Sequence, residues 1–153
     1  MRKRAKLTPT FPAELTDLAE FRFRLRRFLS FSEAASEELG IAAQQYQMIQ
    51  VIAAASDGRV ATISYIAERM LLRHNSAVEL VDRAERAGLV LRIADESDHR
   101  RSVVQMTAEA EAVLSKLVVR HLAELQSEGP ALIRALETII GAGPALKRRT
   151  GER

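Results

Sequence analysis

The apolar positions of the chain recur at the spacing of an α-helix throughout its first quarter. Intervals of three, four and seven residues separate the apolar residues between Glu14 and Leu39, which is typical of one long amphipathic helix. Ser32 is the one polar residue that interrupts this stripe. Gly40 predicts the end of the helix, because glycine adopts the left-handed backbone of a helix C-terminus without strain. The stripe consists of Leu18, Phe21, Leu25, Phe28, Ala35 and Leu39.

Three shorter helices are predicted in the next part of the chain. The first covers residues 43–55 and is followed by a turn at Asp57-Gly58. Thr62 can cap the second, a short helix whose apolar residues follow at i, i+3, i+4 and i+7. The same spacing predicts the third helix over 74–87, and Gly88 predicts its end.

Two short apolar runs surround a charged segment in the second half of the chain. Residues 89–94 and 102–106 are rich in β-branched and apolar side chains, and the segment DESDHRR at 95–101 separates them. This arrangement predicts a β-hairpin. Its tip lacks the Asn-Gly pair of a tight turn, so we expect a longer loop.

The last third of the chain is again helical by its apolar spacing. Thr107 is a suitable N-cap for a helix that runs to about Gln126. Gly129-Pro130 then predicts a break and the start of a final helix, because proline fits the first turn of a helix. Together the elements predict a mainly α fold with a small β-hairpin.

The composition fits one domain with basic ends. The chain has 153 residues, of which 47% are apolar, and this is enough for one hydrophobic core. We expect a flexible basic arm over 1–13, a single domain over 14–143 and a basic tail over 144–153. The absence of cysteine excludes disulfides, thiolate zinc sites and cysteine nucleophiles. Because the sequence has no secretory signal and no apolar run near the length of a membrane span, about 18 residues, we expect a cytoplasmic protein.

Helix, turn, helix and hairpin in this order form a winged helix-turn-helix, here over about 43–106, and its polar residues suit DNA binding. Side chains at the start of the second helix enter the major groove, where asparagine and arginine recognise adenine and guanine edges. The hairpin is called the wing, and basic side chains at its tip can enter a minor groove. The net charge is only +3, but the 23 basic residues include just four lysines, so arginine dominates. The predicted DNA-binding residues are Arg73, His74, Asn75, Ser76, Glu79, Arg83, Asp98, Arg100 and Arg101.

Several of these residues also have structural interpretations. Taken alone, Arg100 is better interpreted as a solvated loop charge, and only the nearby Asp98 and the interval to Thr107 favour a DNA contact. Asp98 can aim the Arg100 guanidinium, or tie the wing to Arg83 or another arginine of the helix. One of the three polar residues at 74–76 can cap the helix instead of contacting DNA. A carboxylate at Glu79 is repelled by phosphates but can accept a hydrogen bond from a cytosine amino group.

Two adjoining stretches of the chain carry a specific pattern. They are IAERMLLRHNSAVELVDRAERAGLVLR at 66–92 and DESDHRRSVVQMT at 95–107, with an interval of nine residues from Asp98 to Thr107. Both stretches resemble the MarR family of bacterial transcriptional regulators. Leu71 stands where this family commonly has glycine in the turn. The residues that match the family pattern are Val81, Asp82, Arg83, Glu85, Gly88, Leu89, Val90, Arg92, Asp98, Arg100 and Thr107.

The resemblance implies a homodimer and a repressor. The long helices, 14–39 and 107–142, would entwine with those of a second copy, so that two DNA-reading helices face one near-palindromic operator. The family commonly responds to a small aromatic or phenolic effector. The candidate effector residues are Arg22, Arg26, Tyr46, Gln47 and His121. Each also has a structural interpretation. A tyrosine such as Tyr46 is more often a core residue, and a histidine such as His121 is more often packed in a dimer helix than in contact with a ligand. Arg22 and Arg26 can simply be solvated.

Two other classes of function compete with a DNA-binding regulator. An enzyme has no support, because the three histidines are dispersed and no nucleophile elbow, phosphate loop or HExxH motif is present. We therefore expect no catalytic residues, no cofactor and no metal. The alternative is a winged-helix protein-interaction or ligand-sensing module that no longer binds DNA. Glu79 favours this alternative, whereas Arg73, Arg100 and Arg101 favour double-stranded DNA as the partner.

Overall fold

The computed structural model describes residues 11–12, 14–55 and 60–141. The predicted mainly α fold with a two-stranded antiparallel hairpin is confirmed. The predicted turn at Asp57-Gly58, the basic tail and residues 1–10 and 13 of the basic arm lie outside the described residues. The elements are α1 (Glu14–Glu38), α2 (Ala43–Ala53), α3 (Ile63–Arg69), α4 (His74–Arg86), β1 (Val90–Ala94), β2 (Ser102–Met106) and α5 (Ala108–Gly141).

Helices α1, α3 and α4 end in the same hydrogen-bond pattern. After each helix, a residue with left-handed backbone donates its N–H to the carbonyl three residues back, and the next residue donates to the carbonyl five back. In α1 and α4 the left-handed residue is the predicted glycine, Gly40 with φ +79° and Gly88 with φ +75°. In α3 it is Leu71 with φ +54°, the one non-glycine residue of positive φ in the described part of the chain.

Helix α5 is one continuous helix, so the predicted break at Gly129-Pro130 is wrong. A proline inside a helix removes a hydrogen bond and typically costs about 3 kcal/mol. Side chains on both sides of the proline lie near α1. The Glu128 carboxylate lies 3.3 Å from the Arg27 guanidinium. Leu132 lines the same small cavity as Phe28.

The chain divides into two compact units. One unit contains residues 1–30 and 124–153, so its described part is residues 11–12, residues 14–30 of α1 and residues 124–141 of α5. The other unit, residues 31–123, contains the helix-turn-helix, the hairpin and the main core. Its completely buried large side chains come from α2, α3, α4, α5 and both strands of the hairpin. They include Met48, Ile49, Ile66, Leu80 and Leu117.

The hairpin is fixed to the helices at its base. The Val104 N–H donates to the Ala61 carbonyl at 2.8 Å, next to an isolated bridge that joins β2 to the segment before α3. Thr107, directly after β2, donates its hydroxyl to the Gly88 carbonyl at 2.7 Å. The same hydroxyl oxygen accepts from the Ala110 N–H at 3.3 Å and caps α5 as predicted. The wing is therefore held where it leaves the core, and only its tip projects.

Candidate nucleic-acid interface

Four polar side chains are exposed at the start of α4. Arg73 is the N-cap residue, with extended backbone at φ −67° and ψ 150°, and His74, Asn75 and Ser76 form the first turn. No side chain caps the helix, so the alternative that one of these residues is a cap is wrong. The helix lacks a side-chain cap because its N-cap residue is Arg73, whose guanidinium has no acceptor atom. In the part of the chain that the structure describes, the four side chains have no hydrogen-bond partner.

Apolar packing sets the orientation of α4. Its buried residues lie on one face and are Ala77, Leu80, Val81 and Ala84. This face turns Glu79 and Arg83 outward, and both side chains are exposed. Arg83 Nη2 lies 3.4 Å from Gln44 Oε1 of α2, a long hydrogen bond. The predicted tie between Arg83 and Asp98 of the wing is therefore replaced by a contact with α2.

The tip of the wing is organised by Asp95. This carboxylate is 5% exposed and accepts hydrogen bonds from the N–H and hydroxyl of Ser97 at 2.9 and 2.8 Å. The Arg101 guanidinium donates to its other oxygen at 2.7 Å. The hydrogen bonds from Ser97, and secondly the Arg101 charge, hold the pKa of Asp95 below its ordinary value. Arg101, predicted to contact DNA, thus has a partner inside the wing.

Asp98 positions the backbone of the wing tip. Its Oδ1 accepts from the Arg100 N–H at 3.1 Å, and its carbonyl accepts from the Arg101 N–H at 2.9 Å. The expectation that Asp98 aims the Arg100 guanidinium is therefore wrong, because the bond reaches the amide of that residue instead. The Arg100 side chain is exposed and has no partner within the described residues. The tip consequently presents one free guanidinium outward.

A cluster at the base of the wing joins β1 to α4. The Arg92 guanidinium donates to both the Asp82 and the Glu85 carboxylates. The hydrogen bond to Asp82 raises the pKa of Arg92 above its ordinary value. The sequence identifies these three residues only as matches to a family pattern, with no role. Their pairing spans seven and ten residues across a turn, and no local spacing rule predicts such a contact.

Two of the five candidate effector residues contact each other within the unit 31–123. Tyr46 and His121 come together, with ring centroids 4.7 Å apart and both side chains buried. Burial also raises the pKa of Tyr46. Gln47 is exposed, and Arg22 and Arg26 are exposed on the part of α1 that belongs to the other unit.

His121 is fixed by two hydrogen bonds. Its Nδ1 lies 2.7 Å from the Leu117 carbonyl, and its Nε2 lies 2.8 Å from the Ser32 hydroxyl. Because a carbonyl can only accept, Nδ1 is the donor to Leu117. Ser32, the polar interruption of the α1 stripe, therefore has its partner on α5.

Other concave and clustered features lie away from these residues. An open groove of about 520 Å³ in the unit 31–123 contains none of the candidate effector residues. It is lined by Leu39, Ser115, Lys116, Val119 and Arg120. No group of three or more His, Asp or Glu side chains among the described residues is arranged to hold a metal ion. None of the described helices has the length and apolar character to cross a membrane.

Comparison with known proteins relates this geometry to one family. The model of the MarR family matches residues 39–101. The structure is similar to that of AbsC, a MarR family transcriptional regulator from Streptomyces coelicolor. The TM-score is 0.71 at 19% identity, over 86% of this chain and 92% of AbsC. No curated protein sequence matches the chain.

Two further solved structures have the same fold. CouR from Rhodococcus jostii RHA1, solved with p-coumaroyl-CoA bound, is 22% identical with a TM-score of 0.64, over 88% of this chain and 97% of CouR. BpsR from Bordetella bronchiseptica, whose DNA binding 6-hydroxynicotinic acid regulates, is 14% identical with a TM-score of 0.64, over 88% and 96%. Residues 39–101 therefore resemble the MarR family in sequence, and the chain has the fold of the solved MarR-family structures.

Proposed function

We propose that the protein is a dimeric, sequence-specific DNA-binding repressor, not an enzyme, that a small-molecule effector releases from a near-palindromic operator. The observation that carries this proposal is the first turn of α4. It exposes Arg73, His74, Asn75 and Ser76 together, without partners among the described residues, while the apolar face of the helix is packed. Side chains held in this way are available to the edges of base pairs.

The exposed polar residues at the start of α4 and Glu79 each have a role in this proposal that follows from their chemistry. Asn75 pairs with an adenine edge through two hydrogen bonds, and Arg73 contacts a guanine edge or a phosphate. His74 and Ser76 contact phosphates or bases beside them. Glu79, one turn further along the helix, accepts a hydrogen bond from a cytosine amino group. This last contact would make the protein selective at that base pair, because the carboxylate is repelled wherever only phosphates are near.

The wing contributes a second contact in this proposal. Arg100 enters the neighbouring minor groove or contacts its phosphates, since its guanidinium is the free one at the tip. The Asp95–Arg101 pair and the Asp98 carboxylate hold the loop in shape for this contact. Arg83 adds positive charge on the exposed face of α4.

Exposed apolar residues on the unit formed by 14–30 and 124–141 support the dimer. Ile133 and Ile140 of α5 are 57% and 69% exposed. Groups of exposed apolar residues on a folded protein commonly mark an interface with another chain. A second copy related by a two-fold axis would cover such a face and would bring two α4 helices to one DNA duplex. The accompanying exposed side chains are Leu15, Leu18, Phe23, Leu29, Leu125 and Leu136.

The effector is proposed by analogy with two relatives. CouR is bound to p-coumaroyl-CoA, and 6-hydroxynicotinic acid regulates DNA binding by BpsR, so both respond to or hold an aromatic acid or its thioester. We extend this class, a small aromatic or phenolic molecule, to the present protein. Tyr46, Gln47, His121, Arg22 and Arg26 are the residues to substitute when an effector is tested.

The proposal is tested by selecting duplexes from a randomised pool with the wild-type protein. The expected result is one enriched, near-palindromic sequence, bound by a species of twice the chain mass in sedimentation. Its affinity should fall steeply with salt, because each phosphate contact releases a counterion. No enrichment, together with binding to random duplex that is absent at every salt concentration, would favour the interaction module instead.

A further inference from the structure

Leu71 combines two unfavourable features at one exposed position. Its side chain is 93% exposed, more than any other large apolar side chain in the described part of the chain. Its backbone is left-handed, at φ +54°, and is fixed by the Leu71 and Leu72 N–H groups, which donate to the Glu68 and Ala67 carbonyls. The same pattern closes α1 and α4 with glycine, so the chain places glycine in two of three equivalent positions and leucine in the third.

Neither feature is explained by folding. A residue with a Cβ atom is strained at positive φ, whereas glycine adopts that conformation freely. A leucine side chain in water gains no burial energy to offset this strain. The neighbouring Leu72 is partly buried against the core and anchors the turn, so Leu71 is not needed for that purpose. A strained, exposed residue of this kind is a reason to look for a contact outside the chain.

The position of Leu71 indicates which contact. It lies two residues before Arg73, the N-cap of α4, and so borders the four exposed polar side chains proposed to face DNA. Among the groups that base pairs present in the major groove, the thymine 5-methyl is the apolar one. A leucine next to the entering end of the helix is suited to this methyl group and to no phosphate or amino group nearby.

We infer that Leu71 is a specificity-determining residue whose side chain packs on a thymine methyl group in each half-site. This inference rests on the proposed function, since it assumes a DNA complex. It adds an apolar contact to a recognition surface that is otherwise polar, and it makes the strained turn between α3 and α4 a part of the binding surface.

The test uses the duplex that the wild-type protein selects from a randomised pool. Its thymines are replaced one position at a time, in both half-sites, by deoxyuridine, which lacks only the methyl group. At one position the wild-type protein should lose about fourfold in affinity per half-site, the factor for burying one methyl-sized group. Leu71→Gly should bind the unmodified duplex more weakly and should be insensitive to deoxyuridine at that position.

Two companion measurements separate a DNA contact from an altered turn. Leu71→Gly should raise the melting temperature, because it removes the strain, and should leave the salt slope unchanged, because every phosphate contact is kept. Leu71→Ala keeps the left-handed Cβ but lacks the larger side chain, so it should match Leu71→Gly in DNA binding and not in melting temperature. Val119→Ala, at an exposed apolar residue of α5, is the control and should change neither the affinity nor the thymine dependence.

The outcomes distinguish this inference from the proposed function. If the protein selects a duplex but Leu71→Gly binds it as the wild type does, the thymine contact is refuted and the DNA-binding function stands. Equal loss of affinity by both proteins at every deoxyuridine position refutes the contact in the same way. If no duplex is selected, the proposed function and the inference fall together.

Discussion

The first turn of α4 and the tip of the wing both direct polar side chains outward, but they are built in different ways. In α4 the backbone is positioned by buried apolar residues on the opposite face, and the polar side chains from Arg73 to Ser76 are left unpaired among the described residues. At the wing tip the polar groups hold one another, through Asp95 with Arg101 and Asp98 with the Arg100 amide. Of the two arginines at the tip, only Arg100 has a side chain without a partner among the described residues.

This difference predicts whether a substitution should change DNA affinity, stability or both. Side chains that do not support the fold can be removed with an effect on binding alone, as expected for the start of α4. Side chains that form the wing by pairing with each other cannot be removed without changing its shape. Stability and DNA affinity should therefore separate cleanly in α4 and should be coupled in the wing, except at Arg100.

The largest expected effect lies at the base of the wing. Arg92→Ala removes the partner of both the Asp82 and Glu85 carboxylates. Hydrogen bonds to charged groups typically contribute about 1.5–3 kcal/mol, so the free energy of unfolding should fall by an amount of that order. Urea denaturation measures it. Arg69→Ala, at an exposed residue of α3, is the matched control, and an equal decrease in both variants would contradict a special role for the cluster.

Asn75→Ala tests the α4 side of the comparison. Because Asn75 caps nothing, its removal should leave the free energy of unfolding within about 0.5 kcal/mol of the wild type. Removing a paired hydrogen bond to a base should cost about 1–3 kcal/mol of binding at one position of each half-site and relax the preference there. Titrations against duplexes changed at single positions measure this. A drop in thermal stability with unchanged preference would show that the side chain supports the fold after all.

Arg100→Ala and Arg101→Ala form a matched pair one residue apart. Arg100→Ala should keep the folded stability within about 0.5 kcal/mol and should reduce the salt slope by about one unit for each phosphate that the variant no longer binds. Arg101→Ala should instead loosen the loop around Asp95, since it removes that carboxylate's basic partner. Operator titrations at several salt concentrations, with melting curves of both variants, separate the two roles. Identical behaviour of the two variants would remove the distinction between them.

The smallest expected effect is a change in how the stability of the fold depends on acid pH. The folded pKa of Asp95 lies below its ordinary value of 3.8, so its contribution to stability is present above that value and is lost as the pH falls through it and lower. Asp95→Asn removes this titration. Between neutral pH and pH about 3, the melting temperature of the wild type should therefore fall more than that of the variant. Parallel melting curves over this range would contradict the assignment.

Local signals predicted much of the fold correctly. The apolar stripes located α1 and α4, and Gly40 and Gly88 marked their ends because the left-handed conformation is decided by single residues. Thr62 and Thr107 were identified as caps for the same reason, since a hydroxyl bonds to an amide within its own turn. Each of these features depends on contacts within a few residues.

Features that depend on distant partners were missed. Pro130 does not interrupt α5, and Glu128, two residues before it, pairs with Arg27 of α1. Arg92 appeared only as a pattern match, since its carboxylate partners lie on a different element. The candidate interface was predicted as a set of residues, but sequence could not distinguish Arg101, which is paired, from Arg100, which is free. That distinction depends on the fold of the loop.

The hydrogen bond between Ser32 and His121 fixes the alignment of two long helices. Each residue is a polar break in an otherwise apolar stripe, and the breaks meet at one level of α1 and α5. Sliding one helix by a turn, about 5.4 Å, would set the hydroxyl and the ring nitrogen against hydrocarbon, at about 1–3 kcal/mol for each unsatisfied group. Apolar side chains alone would tolerate neighbouring alignments more evenly. This single hydrogen bond therefore selects one axial register of the two helices over its neighbours.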